Sequence, residues 1–306
     1  MAPSIGLRPT AMRLGLVTPI LTRHPANDAP WTEDAGPDEV ATIARTADRL
    51  GFHHLTCSEH VAIPSHVVGT RGSRYYDPLA TFGFLAAQTT RIRFVTHVLV
   101  LGYHHPLAIA KRYGTLDRIS GGRVVLGVGV GTLEEEFRLL GVEFAGRGAV
   151  YEDALRALRA AFGRREPRYE GTHFRFDGVV VDPCGVQADV PIWLGGRTPR
   201  SLRRALELGD GWDPFGLGLD ALERVVGRAR ASRAWRERAR PFELVLPIDR
   251  LLDPTDPGER AALVERLVRY RTLGTTIVNL RFRHASLAQY LDQLEVVARD
   301  VAPAVA

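Results

Sequence analysis

Two short apolar segments on either side of a helix constrain the fold more than any other part of the sequence. The segments are residues 91–98 and 124–128. The helix between them is predicted to begin near Pro106 and to end before Gly121 and Gly122, because proline favours the first helical turn and glycine follows the last. A strand, a helix and a second strand joined in this way form a parallel pair. The sequence therefore predicts a parallel sheet.

The same alternation of strand and helix continues along the chain. Strands are predicted at residues 13–18, 53–58, 91–98, 124–128, 190–194, 211–213, 242–248 and 276–280, and a helix follows each of them. This number and order fit the α/β class, and a (β/α)8 TIM barrel better than a Rossmann sheet.

Three segments depart from this regular pattern. Residues 168–182 alternate with a period of two, which predicts a β-hairpin inserted before the fifth strand. Residues 61–76 contain proline and glycine without periodicity, which predicts a long loop at the C-terminal face. Residues 219–238 are predicted to form one helix after the sixth strand.

The length and composition fit one domain of barrel size as well as two small ones, and the regular alternation favours one. With 306 residues, 45% of them hydrophobic, residues 12–306 can form a single barrel, and residues 1–11 are expected to be a disordered leader. No apolar run approaches the roughly 20 residues that a membrane span needs, so we expect a cytoplasmic protein that acts on a small molecule.

The charged residues and cysteines exclude other classes of function. The net charge of +5 comes almost wholly from arginine, because Lys111 is the only lysine. These basic residues are scattered over helix faces and are not grouped with aromatic residues, so no nucleic-acid partner is expected. Cys57 and Cys184 lack the spacing and the histidine partners of a metal site, so no metal is expected.

The segment after the second predicted strand contains the strongest catalytic candidates, Ser58, Glu59 and His60. In a barrel the carboxyl ends of all strands face one cavity. A histidine exchanges protons near neutral pH, and a neighbouring carboxylate can fix its tautomer. We predict that His60 exchanges a proton and that Glu59 orients it; a surface Glu-His pair is the alternative.

Two glycine-rich segments are predicted to bind a phosphate or a cofactor. Glycine lets a ligand lie against bare backbone, and the first turn of a following helix attracts anions. The fixed charge of an arginine in the second segment adds to this attraction. For the first segment, close packing of strand and helix is the alternative explanation. The residues are Gly129, Val130, Gly131 and Thr132 in the first segment and Gly195, Gly196, Arg197 and Thr198 in the second.

One set of residues matches a known family of proteins: 90–93, Pro106, Lys111, 115–129, Glu136 and Phe137. Together they resemble the bacterial luciferase-like family of flavin- and deazaflavin-dependent oxidoreductases. Within that family the chain is most similar to the branch that uses the deazaflavin coenzyme F420. The resemblance extends from residue 12 to about residue 298 and implies the same barrel and a homodimer.

The resemblance also implies roles for particular residues. An acidic residue followed by histidine, as in Glu59 and His60, lies beside the reactive face of the cofactor, although the family commonly has aspartate in place of Glu59. In the deazaflavin branch the third strand carries a bulge with a non-prolyl cis peptide behind the ring. Here this bulge corresponds to Thr96, His97 and Val98, with the cis bond between His97 and Val98. The alternative is that His97 is an ordinary polar residue that points inward.

The resemblance further implies that residues 195–198 form the phosphate site, with residues 129–132 as the other half of the cofactor cradle. One type of deazaflavin dehydrogenase carries a catalytic glutamate where this chain has Thr132, which argues against sugar-phosphate dehydrogenase chemistry. The candidates for substrate contact are Tyr75 and Tyr76 in the long loop and Trp212 in the short sixth strand, and a merely solvated loop is the alternative for the two tyrosines.

Three functions follow from this interpretation. The first is an oxidoreductase that transfers a hydride between coenzyme F420 and a small organic substrate. The alternative is an FMN-dependent monooxygenase on the same barrel, since flavin supports an oxygen adduct whereas the deazaflavin, with carbon at position 5, carries only hydride. The third is a barrel that binds the cofactor without turnover. The sequence selects no particular substrate.

Overall fold

Eight parallel strands form a closed barrel. The computed structural model describes residues 11–25 and 29–305, so the predicted leader lies outside the described residues except for its last residue, Ala11. The fourth strand pairs with the fifth and the eighth with the first, which closes the sheet. The predicted (β/α)8 barrel is confirmed. Its strands are β1 (Arg13–Leu16), β2 (His54–Cys57), β3 (Arg93–Thr96), β4 (Val124–Gly129), β5 (Ile192–Gly195), β6 (Gly211–Asp213), β7 (Glu243–Pro247) and β8 (Ile277–Leu280).

A helix follows each strand and packs on the outside of the barrel. Proline stands in the first turn of five of these helices, and glycine in the left-handed conformation ends two of them at Gly51 and Gly121, as the sequence predicts. The helices are α1 (Pro37–Leu50), α2 (Pro78–Ala86), α3 (Pro106–Ser120), α4 (Arg147–Ala161), α5 (Pro199–Leu208), α6 (Leu219–Arg230), α7 (Pro257–Thr272) and α8 (Leu287–Val296).

Shorter elements complete the described fold. Leu99–Val100 adds a short strand to the upper end of β4. The hairpin predicted before the fifth strand is present, with Tyr169–Glu170 antiparallel to Arg175–Phe176. In the described ranges, no helix combines the length and the apolar character needed to cross a membrane. The remaining short helices are Pro30–Thr32, Ser65–Val67, Val68–Arg71, Leu101–Tyr103, Glu134–Leu139, Arg233–Arg236, Val297–Val301 and Ala302–Val305.

Two predicted segments differ from the structure. Residues 61–76 are not one irregular loop, because the segment contains the short helices given above and the strand Arg74–Tyr75, which pairs with Thr22–Arg23. Elements of two to four residues are too short to produce a visible period. The single helix predicted over residues 219–238 is also wrong. The helix that begins at Leu219 ends at Arg230. A separate helical turn, Arg233–Arg236, follows it, and the side chain of Ser232 caps this turn by accepting a hydrogen bond from the backbone N–H of Trp235.

The barrel interior is packed with bulky side chains below the cavity described in the next section. Val95, Val125, Trp193, Val245 and Ile277 form a separate buried cluster there, one from each of five strands. The larger core lies between the strands and the surrounding helices. The interior cluster makes the barrel a solid support for the residues at its upper end.

Gly127 in β4 is required for close packing of two barrel strands. A Cβ atom at this position would overlap the carbonyl oxygen of Thr96 in β3. Thr96 is fixed there, because its Oγ1 donates a hydrogen bond to the carbonyl of Gly127 (2.7 Å). We expect Gly127→Ala to lower the free energy of unfolding by about 3 kcal/mol, the upper end of ordinary overpacking costs.

Urea unfolding of purified protein measures this change, and Gly83→Ala in α2 is the matched control. A Cβ at Gly83 would meet nothing within 4 Å, so alanine should stabilise the helix by about 0.5–1 kcal/mol. If Gly127→Ala were as stable as the wild type, close packing of β3 and β4 would not be the reason for this glycine.

Candidate active site

The carboxyl ends of the strands surround a cavity of about 720 Å³. Parallel strands of a barrel all end on the same side, so residues distant in sequence meet there. The structure brings most of the predicted site residues into the wall of this cavity. They are Ser58, Glu59, His60, Tyr75, His97, Val98, Gly129, Val130, Gly131, Thr132, Gly195, Gly196, Arg197 and Thr198.

Three of the predicted site residues lie outside the cavity wall. Thr96 is buried against β4, where it bonds Gly127. Tyr76 packs against the core. The indole of Trp212 is fully buried, and its Nε1 donates to Oγ of Ser201 (3.1 Å). The structure therefore does not support substrate contact by Tyr76 or Trp212, because both side chains serve packing.

His60 is held by a buried carboxylate from another part of the chain. Its Nδ1 lies 2.7 Å from Oε2 of Glu136, and the Glu136 side chain is only 1% exposed. Because Nδ1 donates to the carboxylate, a neutral His60 has its acceptor lone pair at Nε2. The edge of the Tyr75 ring packs against the imidazole at a centroid distance of 4.5 Å. His60 is thus fixed in orientation and tautomer at the wall of the cavity.

Glu136 is well satisfied as an anion. Its Oε1 accepts from the backbone N–H groups of Val61 (2.6 Å) and Ala62 (3.2 Å), and its Oε2 also accepts from the hydroxyl of Tyr103 (2.8 Å). Burial opposes ionisation, but these hydrogen bonds and the one from His60 outweigh it and lower the pKa of the Glu136 carboxyl. The carboxylate therefore remains charged beside His60.

The prediction that Glu59 orients His60 is wrong. Oε1 of Glu59 lies 2.6 Å from Nε2 of His104, and Oε2 accepts from the backbone N–H of Val100 (2.7 Å). Glu59 thus ties the end of β2 to the segment that follows β3. Its carboxylate is buried and lines the cavity but does not contact His60.

Sequence reasoning missed Glu136 as a site residue although it belongs to the segment that carries the family resemblance. It is the last of three consecutive glutamates in the helix Glu134–Leu139. The side chains of Glu134 and Glu135 are 57% and 40% exposed, whereas that of Glu136 is buried. An acidic run at the start of a helix is usually a solvated surface, so composition alone gave no signal for a buried member.

The segment after β3 has the predicted backbone geometry. The peptide bond between His97 and Val98 is cis, which confirms the prediction. Oγ of Ser58 donates to the carbonyl of His97 (2.8 Å). The imidazole Nε2 of His97 lies 3.2 Å from Oδ2 of the buried Asp213. Burial disfavours a charged imidazole, but the charge and hydrogen bond of Asp213 outweigh it and raise the pKa of His97.

The segment after β5 forms an electropositive cradle. Gly196 has a φ of +118°, and a Cβ there would lie 2.7 Å from Cβ of Ser201, so only glycine fits. Thr198 and Ser201 cap the N-terminus of α5, whose helix dipole attracts anions. Three arginines line the cavity here, Arg197, Arg200 and Arg204, the last paired with Glu152 (2.6 Å). The cradle fits a phosphate group.

Comparison of the chain with family models matches residues 12–295 to the family described as "Luciferase-like monooxygenase". The chain belongs to this family. The resemblance predicted from sequence motifs is thereby confirmed, and the barrel with its polar carboxyl end is the expected scaffold of the luciferase-like enzymes.

Relatives in the luciferase-like family include proteins named for coenzyme F420. The chain is 30% identical over 220 residues to an "Uncharacterized protein" of Mycobacterium tuberculosis, covering 68% of this chain and 76% of that protein. It is 29% identical over 186 residues to an F420-dependent glucose-6-phosphate dehydrogenase of Microbacterium testaceum, covering 59% of this chain and 53% of that protein.

Solved structures of both cofactor types share the barrel. An F420-dependent secondary alcohol dehydrogenase with an F420-acetone adduct superposes with a TM-score of 0.75 at 16% identity, covering 97% of this chain and 100% of that chain. The oxygenating constituent of 3,6-diketocamphane monooxygenase from Pseudomonas putida, in complex with FMN, gives 0.73 at 18% identity, covering 97% and 99%. At these identities the likeness establishes the fold alone.

Proposed function

We propose that this protein is an oxidoreductase that transfers a hydride between coenzyme F420 and a small organic substrate. The observation that carries the proposal is the position of His60: its Nδ1 is held by the buried Glu136, and its ring lines the cavity of about 720 Å³. The family supports an oxidoreductase, and the relative named as an F420-dependent dehydrogenase favours the deazaflavin.

The residues of the cavity fit such a cofactor. The cradle of residues 195–198, with the N-terminus of α5 and the arginines near it, would hold a phosphate of the cofactor. At Gly129 a Cβ would lie 2.5 Å from Cγ2 of Val98, so this glycine makes room for the Val98 side chain, which lines the cavity and offers an apolar surface against which a planar ring can pack. When bound, the deazaflavin supplies hydride transfer at its carbon 5.

The protein supplies the matching proton. Nε2 of His60 would give a proton to the substrate as it is reduced, or take one as it is oxidised, while Glu136 accepts the hydrogen bond from Nδ1 and keeps that proton in place. Apolar side chains in the cavity wall, such as Val130, Phe215 and Leu251, would exclude water from the reacting atoms.

An FMN-dependent monooxygenase is the second candidate. The cradle suits the phosphate of FMN as well as that of F420, and a luciferase-like barrel with FMN shares this fold. The distinction therefore lies in the tail of the cofactor, because F420 is longer and more anionic than FMN. Arg71 also lines the cavity and favours the more anionic ligand.

We expect the apo-protein to bind F420 with micromolar or tighter affinity and FMN at least tenfold more weakly, a difference of about 1.4 kcal/mol. Added salt should weaken F420 binding more than FMN binding, because it screens charges over about 10 Å. Fluorescence titration of both cofactors at several salt concentrations measures this. Tighter binding of FMN, together with substrate-dependent oxygen uptake, would instead assign the monooxygenase.

A further inference from the structure

A continuous row of polar side chains runs through the barrel interior below the cavity. Nδ1 of His53 lies 2.9 Å from Nδ1 of His54, and Nε2 of His54 lies 2.8 Å from Oδ1 of Asn279. Nδ2 of Asn279 then donates to Oδ1 of Asp213 (3.2 Å). His54 and Asn279 are fully buried, and Asp213 is nearly so. We call these four residues the polar column.

The hydrogen bonds of the polar column are all donated in the same direction, from His53 through His54 and Asn279 to Asp213. Burial, followed by the charges of Arg13 and Arg93, lowers the pKa of His53 to about 3, and burial also holds the pKa of His54 well below its usual range. Both imidazoles are therefore neutral, and each donates one hydrogen bond. Nε2 of His54 donates to the Asn279 carbonyl, which leaves the Asn279 amide nitrogen to donate to Asp213. The column thus fixes Asp213 as an acceptor.

At the upper end of the column, Asp213 holds His97 at the cavity, where its negative charge favours the imidazolium form. Nε2 of His97 lies 3.2 Å from Oδ2 of Asp213, whereas the shorter contact from Nδ2 of Asn279 is to Oδ1. His97 lines the cavity, and its imidazole is only 19% exposed. As described above, Asp213 raises the pKa of His97, which favours the imidazolium form at this position.

Arg281 places a second cation near His97. It follows β8 and lines the cavity, and its positive charge opposes protonation of His97. Nη2 of Arg281 donates to the carbonyl of Ile248 (3.3 Å), but its buried Nε has no hydrogen-bond partner among the described residues. Within the described ranges, no carboxylate forms an ion pair with this guanidinium. Asp213 is thus paired with His97, whereas the guanidinium of Arg281 has no carboxylate, and a buried charge without a partner is unfavourable.

We propose that His97 and Arg281 form an anion-binding subsite on the cavity floor that takes a planar, delocalised monoanion. A carboxylate of the substrate has this chemistry, and so does the deprotonated N–C=O unit of a reduced flavin or deazaflavin ring. The subsite is separate from the phosphate cradle, since it is built from the ends of β3, β6 and β8 and not from the start of α5. The inference deepens the proposed function, because the anion would belong to a ligand of the same cavity.

Binding of benzoate and of benzamide to the apo-protein tests the subsite directly. The two probes have the same shape and differ in charge. By isothermal calorimetry, the wild type should bind benzoate at least tenfold more tightly than benzamide. Arg281→Met and His97→Asn should each remove most of this preference, while the affinity for benzamide stays within a few-fold.

Arg283→Met is the matched control, since Arg283 is exposed, pairs with Glu259 and lies outside the cavity wall. It should keep the full preference for benzoate. Thermal unfolding of each variant confirms that it is folded, and either Arg281→Met or His97→Asn alone suffices for the test. Equal affinities of the wild type for the two probes, or full preference for benzoate in a folded Arg281→Met or His97→Asn variant, would overturn the proposal.

A second arm identifies the source of the anion. The benzoate titration is repeated with protein saturated with oxidised F420, and again with FMN. If benzoate still binds with its preference, the subsite serves the substrate; if the cofactor displaces benzoate, it serves the ring. Failure of both cofactors to bind would refute the proposed function but not the subsite, which is judged on the apo-protein.

Discussion

Replacing His60 with alanine should slow hydride transfer by roughly 100-fold or more, the usual effect of removing a general acid or base. His60 lines the cavity and is the histidine whose Nδ1 is fixed by Glu136, so the substrate loses its partner for proton exchange. Cofactor affinity should change only a few-fold, because the phosphate cradle lies on a different strand. Single-turnover absorbance of the bound cofactor measures the first effect, and fluorescence titration measures the second.

His66→Ala is the control for this prediction. His66 lies in the same segment after β2, but its side chain is 66% exposed and lies 3.6 Å from the exposed Glu135. Its loss should leave the rate of hydride transfer near that of the wild type. If His60→Ala also kept this rate with the true substrate, another group would be the proton carrier.

The barrel could be predicted from sequence because its signals are local. The alternation of short apolar strands with longer helices is visible within windows of some ten residues. Proline at the start and glycine at the end of α1 and α3 fix the ends of these helices whatever their tertiary partners. Parallel strands then place all their carboxyl ends on one side, so most residues of the cavity wall could be predicted once the fold was.

The partners of individual side chains could not be predicted in the same way. Glu59 precedes His60 directly, yet neighbouring side chains on an extended segment point in opposite directions. Glu59 therefore reaches Val100 and His104, and the carboxylate beside His60 comes from Glu136, 76 residues away in sequence. A choice between such partners depends on the register and packing of the whole barrel.

The polar column illustrates the same limit. The sequence places His54 in β2 without showing that its side chain points into the barrel. The room for this imidazole comes from Gly15 in β1, where a Cβ would overlap the His54 ring. Its partner Asn279 comes from β8, and Asp213, which accepts a hydrogen bond from Asn279 in turn, comes from β6; these strands meet only when the barrel closes. Buried polar groups need such partners, but their identity is a tertiary property.

Glu136→Gln should slow hydride transfer about as strongly as His60→Ala, although it changes one oxygen to NH2. The backbone N–H groups of Val61 and Ala62 can only donate, so the amide oxygen of glutamine must face them. The amide NH2 would then face Nδ1 of His60 and the hydroxyl of Tyr103, where Oε2 of the carboxylate accepts both hydrogen bonds. His60 would have to accept at Nδ1 and carry its proton on Nε2.

This reversal of the His60 tautomer should cost roughly 100-fold or more in rate, as the wrong tautomer does in other histidine-carboxylate pairs. Nitrogen-15 NMR of the histidine side chains distinguishes the two tautomers directly. Glu135→Gln is the matched control, since Glu135 is the exposed neighbour on the same short helix and should keep both the rate and the tautomer. A rate loss with Glu59→Gln that exceeded the loss with Glu136→Gln would return the orienting role to Glu59, against the contacts that place Glu136 beside His60.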